Sequence, residues 1–404
     1  MNEHQPLAGF TVVEVANYIA GPAAGALLAD LGARVIHVET VDGDPYRGFR
    51  LGISGFGATS GGEDLAFQVD NRGKESIAVD LRDAAGQAVV HRLLGRSDVL
   101  LTNLSDSQLK RMALEPAVIR ERYPRLVYAR LNGYGFRGPE ADTESFDLGA
   151  FWARSGLLEG MAGASGLAHP RPGVGDHAAA LSLVAGIALS LLTRERTGQA
   201  PQARTSLLDT AMWLNALDIA GAAFYGRRPE RREGGGVPLV AAYRTVDGRQ
   251  IYLQATHDAA WQAFCRAVEH QEWIEDERFL GLGRRRKNAE PLRELITAVL
   301  ETKSLREWAA VFKQHGVPVA IVNSAFDISE DEQVLAGGHL MVRSSDEGVV
   351  AVVSAPFEVG ERASAGEPPP APAHGAQSEA LMLESGYEWE EIAALRDRGI
   401  LGPA

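Results

Sequence analysis

The stretch FTVVEVANYIAGPAAGALLADLGARVIHVE, residues 10–39, constrains the fold more than any other part of this 404-residue chain. A β-branched run over 10–15 is broken at Gly21-Pro22, and an alanine- and leucine-rich segment then runs to Gly32. β-Branched residues suit a pleated surface, Pro22 is tolerated in the first turn of a helix, and Gly32 supplies a left-handed stop. RVIHVE resumes as a second strand, so the stretch predicts a βαβ unit. SIAVDL with a helix over 85–94, DVLLTN with a helix near 108–112, and RLVYARLNGYG continue the alternation. That spacing predicts a doubly wound, Rossmann-like parallel α/β sheet.

After Gly198 the pattern changes. Residues 207–223 predict a helix, and Asp247-Gly248 predicts a hairpin turn between two strand-like runs. Helical segments around Trp261, Leu295 and Trp308 follow. The expected organisation is a large α/β domain over 1–224, a smaller α+β domain over 225–325, and a C-terminal return to the large domain over 326–404. VPVAIVNS and GVVAVVSAPFEV read as strands, SAGEPPPAPAHGAQ as a Pro-rich extended arm, and EWEEIAALRDRGIL as a terminal helix.

Composition narrows the function. With 53 acidic against 40 basic residues the net charge is −13, which argues against a general nucleic-acid or anionic-membrane partner. The single cysteine, Cys265, leaves no disulfide framework and no multi-thiolate metal site. The ten histidines are scattered without HExxH or paired His/Cys spacing, so no metal is expected. MNEHQPLAGF has no basic segment leading into an apolar one. The longest low-polarity run, 178–192, is shorter than the roughly 20 residues of a membrane span. A cytoplasmic protein is the expectation.

Several stretches carry chemistry or mimic it. The first turn reads G-P-A-A-G rather than G-x-G-x-x-G, so close helix–sheet packing is a better reading than NAD binding, although Glu39 lies where a ribose-binding acid would fall. GRRPERREGGG fits either a phosphate-holding loop or a charged linker. SFDLGAFWARSG, residues 145–156, reads more readily as core than as site. In PGVGDHAAALSLVAGIALSLL, residues 172–192, Asp176 and His177 head an almost wholly apolar helix whose Ser182, Gly186 and Ser190 form a small-residue stripe. A helix apolar all round is normally buried, its N-terminus then facing an interior cleft. By spacing alone Asp176 is an N-cap, a role worth about 1 kcal/mol. The helix dipole also favours its ionised form, and an ionised, poorly solvated carboxylate is able to attack an activated acyl group. Both readings stand at this point.

PLAGFTVVEVANYIAGPAAGALLADLGARVIHVET with DGDPYR, then NRGKESIAVDL, LLTNLSDSQLKRMAL and NGYGFRGP, resemble in order the opening blocks of the class III (CaiB/BaiF-type) CoA-transferases. GDHAAALSLVAGIALSLLTRERTGQAPQARTSLLDTA is similar to the block carrying that family's catalytic aspartate, and NSAFDISEDEQV with the tail matches its C-terminal pattern. The resemblance spans nearly the whole chain. It implies that Asp176 attacks an acyl-CoA thioester to give an aspartyl mixed anhydride and free CoA thiolate, which returns to form an aspartyl-CoA thioester. An acceptor carboxylic acid then takes the CoA through a second anhydride.

Coenzyme A would be a co-substrate, with no other cofactor. Its binding positions would be Tyr18, Ile19, Lys74, Asn103, Arg111 and Met112, with Gly234, Gly235 and Gly236 as a covering loop. The resemblance also implies an interlocked homodimer. Thr40 and Asn132 depart from the family pattern, standing where basic residues are frequent. The racemase branch of the superfamily pairs the aspartate with a histidine, and Phe146 stands in that histidine's place. Loss of one proton-transfer group argues against 2-methylacyl-CoA racemisation. Intramolecular CoA transfer on a dicarboxylyl-CoA would use the same Asp176 and stays open. A non-catalytic CoA-binding homologue is opposed by the intact Asp176 block.

Overall fold

A computed structural model describes residues 5–48, 64–162, 166–228, 237–345, 348–359 and 366–403. The chain divides into two compact units, the larger drawing on 1–162, 166–227 and 333–404 and the smaller on 228–332.

The larger unit is built on six parallel strands: β1 (Thr11–Val15), β2 (Arg34–Glu39), β3 (Glu75–Ala78), β4 (Val99–Thr102), β5 (Val127–Asn132) and β6 (Ala203–Ser206), in the order β3-β2-β1-β4-β5-β6. This is the doubly wound order that the strand–helix alternation predicts. Helices α1 (Ala20–Asp30), α2 (Leu65–Asn71), α3 (Ala84–Leu94), α4 (Asp106–Arg111), α5 (Pro116–Arg122), α6 (Leu157–Gly160) and α7 (Val174–Thr197) lie along the connections. Alternate side chains of each strand point to opposite faces. Val12, Val35, Val99, Leu101 and Val127 share a core with α1 and α7. Val13, Ile36, Ile77, Leu100 and Tyr128 share another with α3 and the C-terminal helices Ser378–Glu384 and Trp389–Asp397.

An open sheet leaves edge strands to be covered. The C-terminal segment covers β3: the Ser76 amide donates to Gln377 Oε1, Gly402 N donates to Ala78 O, and Val79 bridges Leu401. β6 lies at the other edge, and its short sequence ARTS carries no apolar alternation by which it could be recognised.

Helix α7 is 24 residues long, beyond the low-polarity run, and by length and hydropathy alone it is able to cross a membrane. Here one face packs on α1, β5 and β6. Burial all round, expected from the sequence, does not hold: Leu189 is 64% and Leu192 54% exposed. Exposed large apolar side chains also occur on α8 (Leu207–Leu214) and α9 (Ala216–Tyr225): Trp213, Leu217 and Phe224.

In the smaller unit β7 (Val240–Arg244), β8 (Gln250–Gln254) and β9 (Val319–Ile321) form an antiparallel sheet, with Gly248 at φ +76° in the expected hairpin turn. Trp261, Phe264, Trp308 and Phe312, from helices Asp258–Ala267 and Leu305–His315, fill its core. A separate hairpin, β10 (Leu340–Ser345) and β11 (Gly348–Val353), belongs to the larger unit.

Candidate active site

In an open α/β sheet ligands bind outside the carboxyl ends of the strands, where the strand order reverses. Here that point lies between β1 and β4. The loop after β1 is clamped there, with Asn17 N donating to Asn103 Oδ1 at 3.0 Å and Asn103 Nδ2 donating to Asn17 O at 2.7 Å. The next residue, Tyr18, sits in the left-handed region at φ +63°, and its amide donates to Asp44 Oδ1 at 3.4 Å. A bulky residue there is strained and must be held by its surroundings. Ile19 follows, its Cδ1 3.7 Å from where a Cβ on Gly173 would stand. Gly173 is the N-cap of α7, at φ +86°.

Asp176 therefore lies at this end of the sheet, as the third residue of α7 rather than its N-cap. Asp147 performs the capping: its Oδ2 accepts the Gly173 amide at 2.6 Å. Gly175 lets the two segments meet, since a Cβ there would stand 2.2 Å from Asp147 Oδ1 and 2.4 Å from Phe151 Cγ. Asp176 itself has no hydrogen-bond or ion-pair partner among the described residues. Burial first, and then the Asp147 charge, push its carboxyl up to about 7, while His177 opposes them. The helix dipole, expected to favour the ionised form, is thus opposed by burial and by the Asp147 charge. Burial also raises the Asp147 carboxyl, with the Gly173 amide opposing.

His177 makes a long-range polar contact, its Nε2 lying 2.8 Å from Asp70 Oδ1 on α2. Burial works against its protonation, but the hydrogen bond and charge of Asp70, helped by Asp176, raise its pKa. Tyr46 is buried beside Asp70 and Asp176, and burial together with those charges raises its phenol well above the ordinary range.

The other predicted positions divide. Tyr18, 40% exposed, meets Phe146 edge to face at 5.9 Å between centroids. Tyr18, Ile19 and Asn103 thus converge at the switch point. Lys74 does not present its charge to a ligand: its fully buried Nζ contacts Glu14 Oε1 at 2.8 Å, Pro22 O at 2.9 Å and Asn71 Oδ1 at 2.9 Å. Glu14 also holds His37 Nδ1 at 2.7 Å, and His37 Nε2 approaches Asp44 Oδ2 at 3.4 Å. Lys74 thus supports the cluster that anchors the Tyr18 amide. Asn103 is likewise engaged as a clamp by both side-chain ends. Arg111 is exposed at the end of α4, whereas Met112 packs against the α3-side core. Gly234, Gly235 and Gly236 lie outside the described residues.

The departures have local roles. Thr40 Oγ1 donates to Gly43 O at 2.8 Å, and Asn132 ties the loop after β5 through Gly135. Close packing explains the G-P-A-A-G turn, since a Cβ on Gly25 would stand 1.8 Å from Glu14 Oε2. Glu39 is engaged by Arg47 at 2.6 Å and by Ser76 at 2.5 Å, which hold it at about 2 despite burial. Reasoning from sequence missed Asp147, Asp70 and Tyr46. Asp147 lies in a stretch read as core, and only its acidic character among aromatics marked it.

A doubly wound sheet with an acidic helix terminus at its switch point is the architecture of a ligand-binding α/β protein. The chain belongs to CoA-transferase family III, whose model matches residues 7–378, and it is a CoA-transferase. It is 29% identical to the (R)-2-hydroxy-4-methylpentanoate CoA-transferase of Clostridioides difficile, over 98% of this chain and 99% of that one. It is 32% identical to the cinnamoyl-CoA:phenyllactate CoA-transferase of Clostridium sporogenes, over 84% and 83% of the two chains. The crystal structure of a CAIB/BAIF family protein from Brucella suis aligns with a TM-score of 0.81 at 26% identity, covering 94% of this chain and 99% of that one.

Proposed function

We propose that this protein moves CoA from an acyl-CoA to a carboxylic acid through covalent intermediates on Asp176. One Asp176 oxygen attacks the thioester carbon, the C–S bond breaks, and the electron pair leaves on sulfur as CoA thiolate. The thiolate attacks the anhydride at the aspartyl carbonyl, releasing the first acid and leaving aspartyl-CoA. The acceptor carboxylate repeats the sequence in reverse. The observation that carries this reading is the state of Asp176: half-buried, unpaired among the described residues, and at a helix N-terminus on the switch point. A carboxyl displaced upward to about 7 retains nucleophilicity once ionised, and poor solvation protects an anhydride from water.

The exposed aromatic pair Tyr18 and Phe146 supports an apolar acyl group, of the aryl or branched kind named for the two clostridial relatives. Tyr18, Ile19 and Arg111 are proposed to contact CoA, with Asn103 and Lys74 acting behind them. The exposed large apolar side chains on α7, α8 and α9 support a homodimer, since a cluster of such residues marks an association surface. We place the enzyme in the cytoplasm, with no membrane or nucleic-acid partner.

Asp176→Ala tests the reading. Loss of CoA transfer with retained folding is expected, and full activity would remove Asp176 from the mechanism. Solvent deuterium entering the acyl α-carbon without CoA transfer would point instead to an isomerase.

A further inference from the structure

Asp176 works against its surroundings. Burial, the neighbouring Asp147 and, to a lesser extent, Asp70 favour its neutral form, yet the proposed attack requires the anion. His177, the following residue on the same helix, opposes them when its ring is protonated. That ring is fixed from a different helix: its Nε2 lies 2.8 Å from Asp70 Oδ1, across 107 residues of sequence. Asp70 is 4% exposed at the side chain, whereas His177 is 51% exposed, so the carboxylate anchors the ring from beneath while the ring's other edge faces outward. Nδ1 of His177 has no partner among the described residues.

We infer that Asp70 and His177 form a positioning pair that keeps an imidazolium beside Asp176 and so maintains the nucleophile as its carboxylate. This inference rests on the reading of Asp176 as the acyl-accepting group. Neither residue forms or breaks a bond in it, and no proton moves during the attack. The charged surroundings are consistent with the assignment. Asp70 from α2 and Asp176 from α7 favour the protonated ring, and Arg72, just past α2, opposes it. Arg72 is itself engaged by Asp30 at 2.5 Å, which moderates its opposition. Tyr46 presents a neutral phenol to Asp70 and adds no charge. The pair also explains why a histidine directly after the nucleophile matches no step in the chemistry: its effect is on the charge state of its neighbour.

The test follows adduct formation at Asp176 in the full-length protein, in single turnover with an acyl-CoA and no acceptor, from pH 5.5 to 9. His177→Gln keeps a polar side chain at a half-exposed position, and Asp70→Asn keeps the shape of the anchor. His177→Gln is expected to move the acid limb upward by about one pH unit, with roughly tenfold slower acylation at pH 6 and wild-type rates near pH 9, and Asp70→Asn, which also removes an anion that itself raises Asp176, to move it upward by less. His177→Arg, which restores a cation, is expected to recover most of the rate at pH 6. A uniform loss across the whole pH range, with the limb unmoved, would overturn the inference and leave Asp176 as nucleophile. Absence of any Asp176 adduct in the wild type would instead remove the underlying reading, and this one with it.

Discussion

Asp147 caps the helix that carries Asp176, its Oδ2 accepting the Gly173 amide at 2.6 Å while its charge lifts the Asp176 carboxyl. One carboxylate satisfies the helix terminus, and the other is left without a partner among the described residues. This division converts an apparent N-cap into a candidate nucleophile.

Only ionised Asp176 attacks, so the acylation rate is expected to be full above its pKa and to fall as pH drops through about 7. Asp147→Asn removes the neighbouring charge and keeps a capping oxygen, so the limb moves to lower pH. A stopped-flow pH profile of CoA thiol release checks both. A limb near 4 in the wild type would show that Asp176 is ordinarily solvated.

Stability should respond in the opposite sense. A carboxyl raised from 3.8 to about 7 makes the folded state bind more protons, so stability falls as pH rises through that window. Asp176→Asn, neutral at every pH, is expected to stabilise the protein by about 1–2 kcal/mol at pH 8 and by little at pH 4. Denaturant melts at the two pH values measure it. Equal effects at both would contradict a half-buried, displaced carboxyl.

Gly175 is required by a close approach rather than by its backbone angle. The Cβ of Gly175→Ala would stand 2.2 Å from Asp147 Oδ1 and 2.4 Å from Phe151 Cγ. Overpacking of this kind costs about 1–3 kcal/mol and would push the Asp147 cap off Gly173. A lowered Tm together with slower acylation is expected, and an unchanged Tm would show that the two segments do not meet closely.

Lys74 separates a structural role from a binding one. Lys74→Met leaves Glu14 buried without its ammonium partner, and breaking a buried pair costs about 3–5 kcal/mol. Thermal unfolding should show a large loss, with the KM for acyl-CoA little changed in the protein that folds. A selective rise in KM at full stability would return Lys74 to the CoA site.

Much of the fold was legible because its strands are β-branched runs separated by glycine stops and amphipathic helices. The exceptions have physical reasons. β6 is four mostly polar residues at an edge, with no periodicity to detect. Burial of α7 was overestimated because a run such as LSLVAGIALSLL cannot show that one face stays open, with Leu189 and Leu192 exposed. At the site, Asp176 was visible as an acid heading an apolar helix, and Tyr18 with Asn103 through the family resemblance. Asp70 and Asp147 were not, because each reaches the site from a distant segment, Asp70 to His177 and Asp147 to Gly173. Lys74 illustrates the same limit, since its charge looks available until Glu14 and Asn71 are seen around it.

The central claim is that the acyl group is carried on Asp176. Incubating the protein with an acyl-CoA donor, trapping with hydroxylamine or borohydride, and mapping the product by peptide mass spectrometry tests it most directly. The account predicts a hydroxamate or reduced side chain at Asp176 and none at Asp147 or Asp70. An adduct at another residue, or an unmodified Asp176 under conditions of measured CoA transfer, would contradict it.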